Sequence, residues 1–153
     1  KELGFSKLLN LKVKEGGSED QNRKYTSDKQ NDVLMNPELK SIGDKVHYRK
    51  SGLNQVLAKL AKQNDVAIGF GFSFILNLEG VQLGQMIGRM KQNVRICRKS
   101  KTKMVVCSYA NNVKEMRGAK DLLAFANVIG MTPGEAKQAL NWKKDEKKVR
   151  VVG

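Results

Sequence analysis

The stretch "SGLNQVLAKLAKQNDVAIGFGFSF", residues 51–74, decides the fold. Its first half carries Leu53, Val56, Leu57 and Leu60 at the three- and four-residue spacing of one helical face, with Ser51 as the expected N-cap. Its second half, residues 66–74, is an apolar run that reads as a buried strand. A helix that runs straight into a buried strand belongs to an alternating α/β chain with a mainly parallel sheet.

The alternation extends in both directions. Residues 8–13 (LLNLKV) and 32–36 (DVLMN) read as strands, the second closed by Pro37. Residues 14–32 between them are polar and read as a loop with room for a short helix over residues 22–26. Residues 41–52 form a second, charged loop. Downstream, residues 79–100 are a helix whose apolar stripe is Leu83, Met86, Ile87, Met90, Val94 and Cys97. Residues 103–108 are a strand, and residues 119–130 a helix closed by Gly130. Thr132, Pro133 and Glu135 then spell a capping box opening a last helix. One α/β domain over residues 1–153 is expected, with a basic tail from about residue 143. The opening KELGF reads as the end of a helix already under way, which implies a preceding segment.

Charge points to the partner. Lys and Arg number 29 against 15 Asp and Glu, a net charge of +14. Such an excess favours a polyanion, usually nucleic acid, bound through its phosphates. No apolar stretch is long enough for a bilayer-spanning helix, no signal peptide is visible, and no membrane partner is expected. Cys97 and Cys107 have no metal-type spacing and read as buried thiols in a reducing compartment. His47 is the only histidine, in a loop beside Tyr48 and Arg49, and no CxxC or HxxxH spacing supplies a converging metal-ligand set. The glycines of "GFGFS", residues 69–73, lack the third glycine and the Lys-Ser/Thr of a phosphate loop, and close packing is the favoured reason for them. Aromatics make up only 6%, so base stacking is not the expected main mode. The basic residues cluster in loop 45–50, along one helix flank (Lys91, Arg95, Arg98, Lys99), at Arg117 and Lys120, and in the tail. Arg117 stands just outside the helix that Gly118 caps, and Lys120 lies in its first turn. Both oppose the helix dipole by a few tenths of a kcal/mol each. A phosphate or partner carboxylate at that helix start would reverse the sign.

Two ordered blocks carry a resemblance. Arg49-Lys50-Ser51-Gly52, residues 56–61 (VLAKLA), residues 66–70 and Ser73 form the first. The second is "MRGAKDLLAFANVIGMTPGEAKQALN", residues 116–141. Glu15-Gly16-Gly17 and Asn22-Arg23 add a weaker match. Together they resemble the thirty-kilodalton protein subunit of ribonuclease P, archaeal protein component three. Gln55 and Ala119 depart from that pattern, where His and Pro are common.

The resemblance implies a TIM-like barrel related to the polymerase-and-histidinol-phosphatase group. A closed barrel takes about 250 residues, so 153 residues imply a partial or N-terminally trimmed copy. It also implies a non-catalytic cytoplasmic subunit of the ribonucleoprotein that removes the 5′ leader from precursor tRNA. Catalysis would then come from the RNA with its magnesium, and this chain would carry no cofactor and no catalytic residue. The implied partners are ribonuclease P RNA, a small ferredoxin-like protein subunit and other ribonuclease P proteins. Arg23, Arg49, Lys50 and Arg117 are the leading candidates for RNA or partner contact, followed by Lys120, Arg95, Arg98 and Lys99. A small barrel enzyme acting on a phosphorylated metabolite and a ribosome-associated RNA-binding protein stand as alternatives.

Overall fold

Four short strands lie side by side in chain order, and every neighbouring pair is parallel. They are β1 (Val13–Glu15), β2 (Val33–Met35), β3 (Ala67–Gly71) and β4 (Met104–Cys107). Helices α1 (Glu19–Ser27), α2 (Gln55–Gln63) and α3 (Gly80–Ser100) connect them, and α4 (Ala119–Val128) and α5 (Pro133–Leu140) follow. The structure is a computed structural model and describes residues 10–41 and 43–144.

The sheet order 1-2-3-4 has no reversal. A doubly wound sheet reverses at a switch point; a singly wound, barrel-like sheet does not. All residues of β2 and β3 are buried, as parallel strands covered on both faces require. Alternation sorts their side chains. Leu34, Ile68, Phe70 and Val106 join the main core with Leu57, Ala58, Met90, Val94, Leu122 and Phe125 of the helices. Val33, Met35 and Ala67 form a smaller cluster on the opposite face with Val13, Val105, Cys107, Tyr109 and Trp142. Gly69 faces that second layer, where a Cβ would collide with Met35 Sδ and come within 3.0 Å of Val33 Cγ1. Close packing therefore accounts for the first glycine of "GFGFS".

Several expected boundaries move. The first strand is Val13–Glu15 instead of residues 8–13, of which 8 and 9 lie outside the described residues. Most of the tail, residues 145–153, also lies outside them. The loop expected over 14–32 contains a complete nine-residue helix, α1, with a Ser18–Gln21 capping box. Its inward face is polar, because buried Asn22 and Thr26 replace the usual apolar stripe. Ser51 does not cap α2. Asn54 does, accepting from the Leu57 N–H at 2.9 Å, while Ser51 is buried three residues earlier. Gly118, Gly130 at φ +96° and the Thr132–Glu135 capping box take the places expected of them.

Candidate nucleic-acid interface

Parallel strands send all their following loops to one end of the sheet, the end where singly wound folds build their sites. The loop after β1 and the long connection from β2 to α2 meet there against α3. Between them lies a groove of about 850 Å³. Lys40, Lys45, Arg49 and Lys50 line it, and among the described lining residues Glu19 is the single carboxylate. Glu19 is already engaged, accepting from Asn54 Nδ2 at 2.9 Å.

Asp44 organises the basic connection from within. Its carboxylate pairs with Arg89 Nε at 3.1 Å and Arg49 Nη1 at 3.5 Å, and accepts from the Lys50 N–H at 3.0 Å. Arg89, nearly buried, also donates to the Ser41 carbonyl at 3.0 Å. Gln92 of α3 holds Arg49 on both sides of its peptide, accepting from its N–H at 3.2 Å and donating to its carbonyl at 2.7 Å. Gly88 gives the Arg49 guanidinium room, since a Cβ there would sit 2.6 Å from Cζ. Tyr48 is 53% exposed, with Lys45 Nζ 5.4 Å from its ring centroid. This segment presents cations and one aromatic face to solvent from an anchored backbone. That combination suits a phosphodiester chain.

A buried polar network lies beneath the groove. Glu38 is fully buried and accepts from Asn36 Nδ2 at 3.0 Å and Asn93 Nδ2 at 2.8 Å. Burial pushes its carboxyl up to about 7, against the pull of those amides and of Arg89. Asn22 ties α1 to the same region, donating to the carbonyls of Pro37 at 3.0 Å and Gly52 at 2.9 Å.

The structure divides the sequence-derived candidates. Arg49 and Lys50 sit together in the groove. Arg95 and Lys99 are exposed on α3, one helical turn from the groove-lining Gln92 and Ile96. Arg98, between them in sequence, is committed elsewhere. It donates twice to Glu135 at 2.7 Å and once to the Gly130 carbonyl at 2.8 Å, fastening the start of α5 to α3. That contact holds the Glu135 carboxyl down to about 2. Arg117 is half-buried and folds onto its own turn. Its guanidinium donates to the Lys114 and Met116 carbonyls, each at 2.9 Å, and lies 5.1 Å from the Phe72 ring centroid. Lys120 is exposed in the first turn of α4, and Arg23 is exposed on α1. Sequence reasoning missed Lys40, and also Glu38 and Asn93, whose roles come from burial rather than from a motif. Lys45 was visible only as part of a basic loop.

Cys97 is buried and Cys107 largely so, and burial raises both thiols above their ordinary value. Among the described residues no group of three or more His, Cys, Asp or Glu is placed to hold a metal ion. Among them, too, no helix is long and apolar enough to cross a membrane.

Comparison with known proteins adds an independent line. The family model described as "RNase P subunit p30" matches residues 5–145. Ribonuclease P protein component 3 of Methanosarcina mazei is 35% identical over 137 residues, covering 90% of this chain and 54% of that protein. Its counterpart in Methanosarcina acetivorans is 33% identical over the same length, with the same coverage. Among solved structures, a chain of "cryo-EM structure of archaeal Ribonuclease P with mature tRNA" superposes with a TM-score of 0.70 at 30% identity. The superposition covers 83% of this chain and 52% of that one. The chain thus spans about half the length of the curated relatives it matches.

Proposed function

This chain belongs to the RNase P subunit p30 family, and on that premise we propose that it works as a non-catalytic protein subunit of ribonuclease P. In this reading the catalytic RNA removes the 5′ leader from precursor tRNA with its own magnesium, and this chain supports the RNA. The observation that carries the reading is the family match over residues 5–145. The basic groove on an anchored backbone agrees with it. A phosphorylated-metabolite enzyme draws no comparable support.

The RNA-facing surface in this proposal is the groove of Lys40, Lys45, Arg49 and Lys50, extended along α3 by Arg95 and Lys99. Lys120 and Arg23 are secondary contacts. Arg98 and Arg117 serve by holding local structure. A small ferredoxin-like protein subunit is the protein partner, and the compartment is the cytoplasm. The four-stranded sheet is read as part of a TIM-like barrel of the polymerase-and-histidinol-phosphatase group. Its unreversed strand order and its two apolar layers support that reading.

Reconstitution tests the function. The holoenzyme is assembled from RNA and all protein subunits, with and without this chain, and precursor tRNA cleavage is followed across magnesium concentrations. Omission is expected to lower the rate and raise the magnesium requirement. An unchanged magnesium profile overturns the proposal.

A further inference from the structure

The buried carboxyl beneath the groove is connected to it by an unbroken set of hydrogen bonds. Glu38 accepts from Asn36 and from Asn93. Asn36 is locked in place, with φ +47°, its N–H donating to the Gly69 carbonyl at 2.8 Å and its Oδ1 accepting from the Gly71 N–H at 2.7 Å. Asn93 is held on one side only. Its Nδ2 also donates to the Ser51 carbonyl at 2.9 Å, but its Oδ1 is buried with no hydrogen-bond partner among the described residues. Ser51 in turn accepts at Oγ from Gln92 Nε2 at 3.0 Å, the same amide group that grips Arg49.

We propose that Glu38, acting through Asn93 on Ser51, is the positioning residue of the basic groove, and that proton uptake by its carboxylate releases the 49–52 segment. Ionised, Glu38 offers two acceptor oxygens to three donors, the Asn36 and Asn93 amides and its own backbone N–H. Ser51 O and Glu38 Oε2 are both acceptors, so the Asn93 amide can face both only with Nδ2. When a solvent proton binds Glu38, one oxygen becomes a donor. Asn93 Oδ1 is the unpartnered acceptor beside it. The amide presents Oδ1 only by turning over, and turning takes Nδ2 off the Ser51 carbonyl. Turning gives the buried Oδ1 a partner and takes Nδ2 off both of its acceptors, so the protonated state holds Ser51 less tightly.

The charged and titratable groups that act on Glu38 come from α3: Arg89, itself paired with Asp44 of the 40–52 connection, and Cys97. Asn36, the residue after β2, faces it from the sheet, and the β3 backbone acts through Asn36. Burial, the largest influence, places the titration near pH 7, within the range where a proton acts as a signal.

The test uses the full chain with His47→Gln, which removes the only histidine from the same segment. Backbone amide resonances of residues 49–53 and the Glu38 carboxyl carbon are followed by NMR from about pH 5.5 to 8.5. Both are expected to titrate with one shared midpoint, and the amide titration is expected to vanish when Glu38→Gln is added. Amides that do not titrate, that have a different midpoint from the carboxyl, or that still titrate without Glu38 overturn the proposal. The shared midpoint needs no substitution at Glu38, so misfolding of that variant does not remove the test. The consequence for RNA rests on the groove reading above. Affinity for ribonuclease P RNA is expected to rise about fivefold from pH 6 to 8 with Glu38 and to stay flat with Gln. Titrating amides in a protein that binds no RNA at any pH would uphold the positioning role and refute the RNA reading of the groove.

Discussion

At the scale of single residues, the same Glu38 makes a prediction about stability alone. Its carboxyl ordinarily titrates at 4.5, and in the fold at about 7. An acid whose folded value is raised binds its proton more tightly in the native state. Its contribution is therefore fully present below pH 4.5 and is lost as the pH rises through 7. A shift of this size in a fully buried group corresponds to about 3 kcal/mol between those limits. Glu135 acts in the opposite sense lower down, losing its contribution as the pH falls from 4.5 toward 2; Glu38→Gln separates the two. Urea unfolding at several pH values should show wild type losing stability relative to Glu38→Gln between pH 5 and 8. A difference that is constant with pH would show that Glu38 does not titrate in that window. Arg117 offers a second case. Its guanidinium satisfies two carbonyls and lies over Phe72, so Arg117→Ala should cost about 1–2 kcal/mol. Thermal unfolding should register that loss whether or not RNA is present.

At the scale of elements, α1 is the instructive helix. Its nine residues, EDQNRKYTS, contain no aliphatic side chain, so the helical period of hydrophobicity that exposes α2 and α3 is missing. Apart from Tyr25, which packs against the main core, what holds α1 is polar. Ser18 and Gln21 cap it reciprocally, Asn22 reaches the Pro37 and Gly52 carbonyls, and Asn64 of the α2 C-cap donates to the Thr26 carbonyl at 2.9 Å. Ser18→Ala removes the cap oxygen and should destabilise the chain by about 1 kcal/mol. Hydrogen exchange should then speed up first in residues 18–23, ahead of α2. Uniform acceleration throughout the chain would mean that α1 does not open locally. This helix also marks where sequence reading stops. Strand and helix alternation was legible where apolar spacing carried it, as at Leu53, Leu57, Val66 and Ile68, although Val56 of the expected α2 face is 58% exposed and Ala58 and Ala61 are buried instead. Where the buried face is made of hydrogen-bonded Asn and Thr, sequence reading reached only a short helix over 22–26, and the helix runs from Glu19 to Ser27. The cap of α2 was misread for a related reason: Ser51 and Asn54 are both capping residue types, and only the path of the chain past Gly52, at φ +70°, decides between them. Arg49 and Lys50 were legible as a basic pair. Lys40 is not legible as part of that pair, because the eight residues 41–48 carry no periodicity and only the fold brings Lys40 to the same groove.

At the scale of the whole molecule, the net charge of +14 leaves two ways to make the proposed RNA contact, by a general field or by a built surface. The structure separates these contributions. Arg98 and Arg89 are paired with carboxylates and Arg117 with carbonyls, so their charges serve internal contacts. The groove gathers Lys40, Lys45, Arg49 and Lys50 on one segment. A general field depends on the total charge and is screened beyond about 10 Å at 0.1 M salt. A built surface neutralises particular phosphates, and each neutralised phosphate steepens the fall of log K with log salt by about 0.7 on single strands and 0.9 on duplex. Replacing Lys40, Lys45 and Lys50 together by Ala should therefore reduce that slope by about 2 if all three touch phosphate. Replacing three exposed lysines outside the groove, such as Lys24, Lys29 and Lys59, makes the same change in net charge. A binding titration of both triple variants on ribonuclease P RNA over a range of salt concentrations decides the matter. Equal slope losses would assign affinity to the field. A loss confined to the groove variant would assign it to the segment that Asp44, Gln92 and Asn93 hold in place.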